Sequence, residues 1–117
     1  NMMNLFEEII YALIGKQIRQ YREKKDLTQE KLASDIGVSR ASIANYESGK
    51  QAIYISDLYK IANSLEVEVA DLLPKTTEIA KKSSLEALLQ NDNNLKEEEK
   101  RAVRDFMKKV EQREGRT

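Results

Sequence analysis

One stretch of this chain, residues 28–50, constrains its fold more than any other. Its apolar residues recur at spacings of three and four, as on one face of a helix, and Gly37 interrupts the series once. Thr28 and Ser39 can each cap a helix N-terminus, and Gly49 stands where a helix often ends in a left-handed residue. The pattern predicts two short helices around a tight turn. The apolar residues that define the two helical faces are Leu32, Ala33, Ile36, Val38, Ile43 and Tyr46.

Composition restricts both the fold class and the chemistry. The 117 residues include four glycines, one proline and 34% charged residues, which favours an all-α chain over a β-sandwich or barrel. There is no cysteine and no histidine, so disulfides are excluded and thiol or imidazole catalysis has no residue to use. We therefore expect no catalytic residue, no metal site and no cofactor, and we do not expect an enzyme.

The N-terminal part of the chain predicts an amphipathic helix. Apolar residues recur in pairs from Leu5 to Ile14, and helical spacing continues to about Lys25, with Gly15 as a weak point or a boundary between two helices. The stripe before Gly15 packs either on its own domain or against a second subunit. It is too short, and too interrupted by glutamates, to predict a membrane span.

Beyond residue 50, further helical segments are predicted. A fourth helix covers Ser56–Leu65, and a short fifth ends at Pro74, which removes a backbone donor. A last amphipathic helix covers Leu95–Arg113, and its apolar stripe needs a partner surface: its own domain, the N-terminal stripe or another chain. Its acidic start, Glu97–Glu99, is the charge that a helix N-terminus favours and predicts no catalytic or cation site.

Residues 14–73 closely resemble the DNA-binding domain of the phage repressor and Cro family, also called the XRE family. The resemblance rests on the pieces IGKQIRQYREKKDLTQEKLASDIGVSR, IANYESGK and LYKIANSLEV. It implies a five-helix bundle whose third helix lies in the major groove of DNA. We expect a helical extension over 1–14, the DNA-binding domain over 15–74, a linker with a short helix over 75–94, and a C-terminal dimerisation helix over 95–117.

The third helix carries the predicted base contacts. Arginine can form a fork of hydrogen bonds with guanine, asparagine can pair with adenine, and alanine can contact a thymine methyl group. On a helix that starts near Ser39, the first two turns place four such residues on the outward side. The predicted base contacts are Arg40, Ala41, Ala44 and Asn45; a phosphate contact is the alternative for Arg40.

The resemblance also implies phosphate contacts and one ion pair. Gln29 matches the family's glutamine at the start of the second helix, where the side chain and the helix N-terminus both meet a phosphate. Arg22 and Glu47 match positions that form a partly buried ion pair between the first and third helices. The further predicted phosphate contacts are Ser39, Ser42 and Lys50.

Two positions depart from the family's pattern. A glycine frequent in the turn after the fourth helix is Glu66 here, and the connector before that helix has Ile53 and Tyr54 in place of proline and serine. Tyr54 is a candidate for a sugar or phosphate contact. Its neighbours Ile53 and Ile55 suit either the core or a dimer contact.

Charge is consistent with a local DNA-binding surface. The whole chain is neutral, with 20 basic and 20 acidic residues, but residues 15–50 carry a net charge of +3. We therefore expect a cytoplasmic, dimeric regulator of transcription that binds double-stranded DNA, most simply a repressor. The alternative is a protein-interaction module or an antitoxin that binds a partner protein and regulates its own synthesis.

Overall fold

In the computed structural model, residues 3–89 and 96–114 are described, and all regular structure within these ranges is helical. This confirms the all-α class and the five-helix bundle with helical additions at both ends. The helices are α1 (Leu5–Lys24), α2 (Gln29–Ile36), α3 (Arg40–Ser48), α4 (Ile55–Leu65), α5 (Val69–Leu72), α6 (Thr76–Leu89) and α7 (Glu97–Glu114). Within the same ranges, none of these helices combines the length and the apolar character needed to cross a membrane.

The chain divides into two compact units. One is Ile10–Pro74, and the other comprises Asn1–Ile9 with Lys75–Thr117. The first unit is built around a single apolar core that draws on α1 to α5, and it contains all six of the residues that defined the predicted helical faces. Its buried members are Ile14, Ile18, Leu32, Ala33, Ile36, Ile43, Tyr46, Leu58, Ile61, Ala62, Leu65 and Leu72, with Val38 half-buried against them.

The caps of α2 and α3 are as predicted. The Thr28 hydroxyl accepts a hydrogen bond from the Lys31 backbone N–H at 3.0 Å, and the Ser39 hydroxyl accepts one from Ser42 at 3.1 Å. Gly37 and Gly49 end the two helices with φ of 78° and 75°, in the left-handed region where a side chain is disfavoured. Local sequence therefore specifies both ends of each helix.

Gly15 lies inside α1, which continues through it without a break. A Cβ atom at this position would collide with the backbone carbonyl oxygens of Tyr46 and Glu47. One turn earlier, the Cα of Ala12 lies 2.7 Å from where a Cβ of Gly49 would stand. The glycines thus let the backbone of α1 contact the end of α3 directly, a closer approach than any other residue allows.

The turn after α4 contains Glu66, at the position where the family frequently has glycine. This residue ends α4 with φ of 59°, a left-handed conformation that costs a non-glycine residue about 1–2 kcal/mol. Its carboxylate lies 3.2 Å from Lys25 Nζ, but the Glu66 side chain is 79% exposed, so the ion pair offsets little of that cost. The family's glycine preference at this turn therefore has a backbone origin.

The second unit has a small apolar interior of its own. Phe6 in α1 and Phe106 in α7 meet edge to face, with ring centroids 4.9 Å apart. Both the N-terminal stripe and the last helix therefore bury apolar side chains within one chain. The buried apolar residues of this unit are Leu5, Ile9, Ile79, Ala80 and Val110.

The segment expected to be a linker with a short helix contains α6, which is 14 residues long. Ile79, Ala80 and Ser83 recur at helical spacing and are buried, which explains why a largely polar sequence still forms a helix here. The hydroxyl of Ser83 is fully buried, and no hydrogen-bond partner for it lies in the described part of the chain. The predicted helix start at Leu95 lies outside the described residues, and α7 begins at Glu97.

Candidate nucleic-acid interface

The surface of α3 separates into an inner and an outer side. Ile43 and Tyr46 are buried in the core, whereas the residues predicted to contact bases remain accessible. Two of these, Arg40 and Ala41, are exposed, while Ala44 and Asn45 are half-buried. The first two turns of α3 therefore present one guanidinium, one carboxamide and two methyl groups along one exposed side.

A buried ion pair holds α1 to the end of α3. Arg22 Nε donates to Glu47 Oε2 at 2.6 Å, and Nη2 donates to Oε1 at 3.0 Å, so the pair is bidentate. A third donor of the guanidinium, Nη1, bonds the Leu27 carbonyl oxygen at 2.6 Å. The hydrogen bond with Glu47 raises the pKa of Arg22, although burial acts in the opposite direction.

The same carboxylate also orients Gln29. Its amide Nε2 donates to Glu47 Oε1 at 3.0 Å, which joins the first residue of α2 to the ion pair. Glu47 therefore contacts side chains from both α1 and α2. The sequence predicted Gln29 as a phosphate contact and Glu47 as a structural residue, but it gave no sign that they touch.

Arg40 lies beside an acidic residue of α2. Its Nε is 3.8 Å from Glu30 Oε1, and both side chains are more than half exposed. Such a surface pair contributes at most about 1 kcal/mol. The contact therefore positions Arg40 at the outer edge of α2 and α3 without fixing it there.

The other predicted phosphate contacts stand around the two ends of α3. Ser39 and Ser42 share a hydrogen bond between their hydroxyls at 3.0 Å, next to the backbone donors at the helix start. Lys50 follows the C-terminal cap and is exposed, while its backbone N–H bonds the Asn45 carbonyl oxygen at 3.0 Å. Hydroxyls and a cation thus stand at the two ends of the helix that carries the predicted base contacts.

A second buried hydrogen bond was missed from the sequence. The Tyr46 hydroxyl donates to Asp57 Oδ2 at 2.6 Å and so ties α3 to the first turn of α4. Burial, reinforced by the bond to Asp57, raises the pKa of the Tyr46 phenol. The sequence supported only a general expectation, that a buried tyrosine needs a hydrogen-bond partner for its hydroxyl.

Comparison with known proteins identifies the family. A helix-turn-helix family model, HTH_3, matches residues 18–72. The control protein C.BamHI of Bacillus amyloliquefaciens is 36% identical over 69 residues, which are 58% of this chain and 85% of that protein. The cryptic phage CTXphi transcriptional repressor RstR of Vibrio cholerae is 30% identical over 90 residues, 77% of this chain and 80% of the repressor.

A solved structure supports the same assignment. The P22 c2 repressor protein, solved in complex with a synthetic operator, superposes with a TM-score of 0.50 and 28% identity, over 52% of this chain and 92% of that one. The residues matched by the family model, 18–72, contain the turn between α2 and α3. This chain therefore belongs to the XRE family of helix-turn-helix transcriptional regulators.

Proposed function

We propose that the chain represses transcription by binding, as a dimer, a DNA operator with two-fold symmetry. The observation that carries this proposal is the arrangement of α3. Its outer side presents hydrogen-bonding and methyl groups, while its inner side is fixed by the core, by Glu47 and by Tyr46. A helix held this rigidly can present side chains to base edges with little loss of side-chain or backbone freedom.

The exposed groups suit direct readout of the major groove. The Arg40 guanidinium can donate two hydrogen bonds to guanine O6 and N7, and the Asn45 amide can pair with adenine N6 and N7. Ala41 and Ala44 are small enough to admit the base edges and can contact a thymine methyl group. Contact with guanine would replace the weak pairing of Arg40 with Glu30 by two charge-assisted hydrogen bonds.

The phosphate contacts would position α3 in the groove. Gln29 stands at the start of α2 with its amide already oriented by Glu47, and Ser39 and Ser42 stand at the start of α3, where the helix dipole favours an anion. Lys50 adds a flexible cation beyond the other end of α3. These contacts would add affinity for any DNA sequence, and the base contacts would select one.

Dimeric binding to a symmetric operator follows from the scale of the contacts. One copy of α3 reads only one half-site, and tight binding in this class of protein uses two half-sites about one helical turn of DNA apart. The name of RstR as a repressor, and the operator complex of the P22 c2 repressor, support the same reading for this chain.

The test starts from binding sites selected from a random DNA pool. Asn45→Ala should lower the preference at one position per half-site by about tenfold to a hundredfold, because one bidentate base contact is lost. Lys50→Ala should weaken binding to selected and unrelated duplexes alike, and should reduce the slope of log affinity against log salt by about 0.9. Both are measured by titration of labelled duplexes at several salt concentrations.

Matched controls stand away from α3. Asn63→Ala on α4 and Lys81→Ala on α6 remove the same chemical groups from exposed positions and should change neither quantity. If Asn45→Ala and Lys50→Ala behave alike, the division into base and phosphate contacts is wrong. If the wild-type chain enriches no sequence, the proposed function fails.

The competing function is a protein-interaction module or an antitoxin. An interface with a protein is usually anchored by aromatic side chains, and the aromatic residue of α3, Tyr46, is buried. The outer side of α3 therefore suits DNA better than a protein partner. Shift of selected duplexes, but not of random ones, at equal protein concentration separates the two functions.

A further inference from the structure

An acidic side chain stands on the surface that the proposed function assigns to DNA. Glu30 is the second residue of α2, directly after the proposed phosphate contact Gln29, and its Oε1 lies 3.8 Å from Nε of Arg40. The other acidic residue of α2, Asp35, instead accepts a hydrogen bond from Ser64 on α4. A carboxylate repels the phosphates of DNA, so Glu30 lowers the affinity for any duplex that approaches this edge.

We infer that Glu30 determines how Arg40 is used, an inference that rests on the proposed function. It withholds the Arg40 guanidinium from phosphates and leaves it available for guanine. The sequence left both roles open for Arg40, a base contact and a phosphate contact. A phosphate contact adds affinity for any DNA, whereas a guanine contact selects a sequence. A neighbour that disfavours the first role more than the second therefore raises specificity.

The charge of the two competing acceptors accounts for this selection. A phosphate oxygen that approaches Arg40 brings a full negative charge close to the Glu30 carboxylate, and like charges at such a distance repel. The O6 and N7 atoms of guanine accept hydrogen bonds but carry only partial charges, so they meet much less repulsion. Glu30 therefore disfavours the phosphate contact of Arg40 more than its guanine contact.

The ion pair is weak enough to open when Arg40 meets guanine. Its two atoms are 3.8 Å apart, beyond hydrogen-bond distance, and the side chains of Arg40 and Glu30 are 58% and 78% exposed. Arg22 is held differently, because its buried guanidinium donates to both Glu47 oxygens and to the Leu27 carbonyl. A surface pair contributes little, so Arg40 loses little when it exchanges Glu30 for the two acceptors of guanine.

The first test compares the wild type with Glu30→Gln by titration of a selected duplex and of unrelated duplexes at several salt concentrations. Affinity for both should rise, because Arg40 no longer has to leave an anion. The rise should be larger for unrelated duplexes, so the ratio of the two affinities should fall about threefold to tenfold, as expected for one like-charge contact in water. On unrelated duplexes alone, the slope of log affinity against log salt should steepen by about 0.9, because Arg40 becomes one more phosphate contact.

Glu23→Gln is the matched control. Glu23 forms an exposed pair of the same kind on α1, where its carboxylate lies 3.7 Å from Nε of Arg19. Its replacement removes the same charge from the chain and opens a pair of the same chemistry, but it should leave the ratio of affinities unchanged. Circular dichroism and thermal unfolding should show that Glu30→Gln folds as the wild type does, because the replaced side chain is exposed. A purely structural role of Glu30 would move neither the ratio nor the salt slope.

A second variant shows whether Glu30 acts through Arg40. In Arg40→Ala, the additional change Glu30→Gln should alter neither the ratio nor the salt slope, because no guanidinium is left to withhold. The proposal is overturned if Glu30→Gln leaves the ratio unchanged in the chain that keeps Arg40. It is equally overturned if Glu30→Gln lowers the ratio by the same factor in Arg40→Ala, since Glu30 would then repel DNA on its own.

These outcomes are distinct from those that test the proposed function. If the wild type selects a sequence and Glu30→Gln selects it equally well, the inference alone fails. If the wild type binds DNA but selects no sequence, the proposed function fails. A steeper salt slope of Glu30→Gln that requires Arg40 would then still show that Glu30 withholds this arginine from phosphates.

Discussion

At the scale of single residues, buried polar contacts decide how α3 is held. Glu47 accepts hydrogen bonds from Arg22 and from Gln29, and Asp57 accepts one from Tyr46. Removal of one partner leaves a desolvated charge, which costs more than the pair itself contributes. The Arg22–Glu47 pair could be expected from the family's pattern. The contact between Tyr46 and Asp57 could not, because nothing in the local sequence specifies which acidic residue reaches a tyrosine on another helix.

The Tyr46–Asp57 contact predicts a pH dependence. An unfolded tyrosine loses its proton near pH 10, about its ordinary pKa, whereas folded Tyr46 has a raised pKa and keeps its proton. The contribution of Tyr46 to stability is therefore full below pH 10, and above it falls by about 1.4 kcal/mol per pH unit. Tyr46→Phe should be less stable than the wild type at pH 8, and the difference should shrink as the pH rises from 10.

Urea unfolding at a series of pH values measures this difference, provided that the fold persists across the range. Tyr54→Phe is the control, because it removes a hydroxyl from a side chain that is 70% exposed. Its stability should run parallel to that of the wild type. A constant difference in stability between the wild type and Tyr46→Phe above pH 10 would contradict the expectation that folded Tyr46 keeps its phenol proton there.

At the scale of helices, features set by neighbouring residues could be predicted from the sequence, whereas features set by long-range packing could not. The caps at Thr28 and Ser39 and the turn at Gly37 follow from side-chain chemistry within a few residues, and all were predicted. The need for glycine at position 15 was not, because it arises from the end of α3, about 30 residues further along. The length of α6 was underestimated for the same reason: its apolar residues stabilise the helix only by packing against residues elsewhere in the chain.

Gly15→Ala tests this close approach of α1 and α3. In an ordinary helix interior the change stabilises by about 0.5–1 kcal/mol, since alanine has the higher helix propensity. Here the added methyl group meets backbone carbonyl oxygens of Tyr46 and Glu47, so the free energy of unfolding should fall by about 1–3 kcal/mol. Chemical denaturation gives the sign. The control Gln20→Ala, at an exposed position of the same helix, should change the free energy of unfolding by no more than about 0.5 kcal/mol. A stabilised Gly15→Ala would contradict this prediction and show that the helices can separate at little cost.

At the scale of the whole molecule, the net charge of the chain gave no indication of DNA binding, whereas the distribution of charged residues along the sequence did. A chain with equal numbers of acidic and basic residues shows no overall attraction to DNA, yet the excess of +3 over residues 15–50 falls on the part that forms α1 to α3. The sequence left three partner surfaces open for the last helix. The contact of Phe6 with Phe106 joins the two ends of the chain, a pairing that helical periodicity cannot specify.

The proposed dimer predicts how binding depends on the distance between half-sites. A direct contact between two folded copies would fix their α3 helices, so only one spacing would allow both to enter the major groove on the same face of DNA. An insertion of about 5 bp turns one half-site to the opposite face, and about 10 bp restores the face but adds roughly 34 Å. A direct contact between folded surfaces cannot follow either change.

Both insertions should therefore reduce the affinity of the wild type to that of two independent half-sites. Titration of each duplex with the wild-type chain measures the effect. Loss of paired binding with 5 bp but not with 10 bp would instead indicate copies joined by a flexible segment. It would contradict a dimer held by direct contact between folded surfaces.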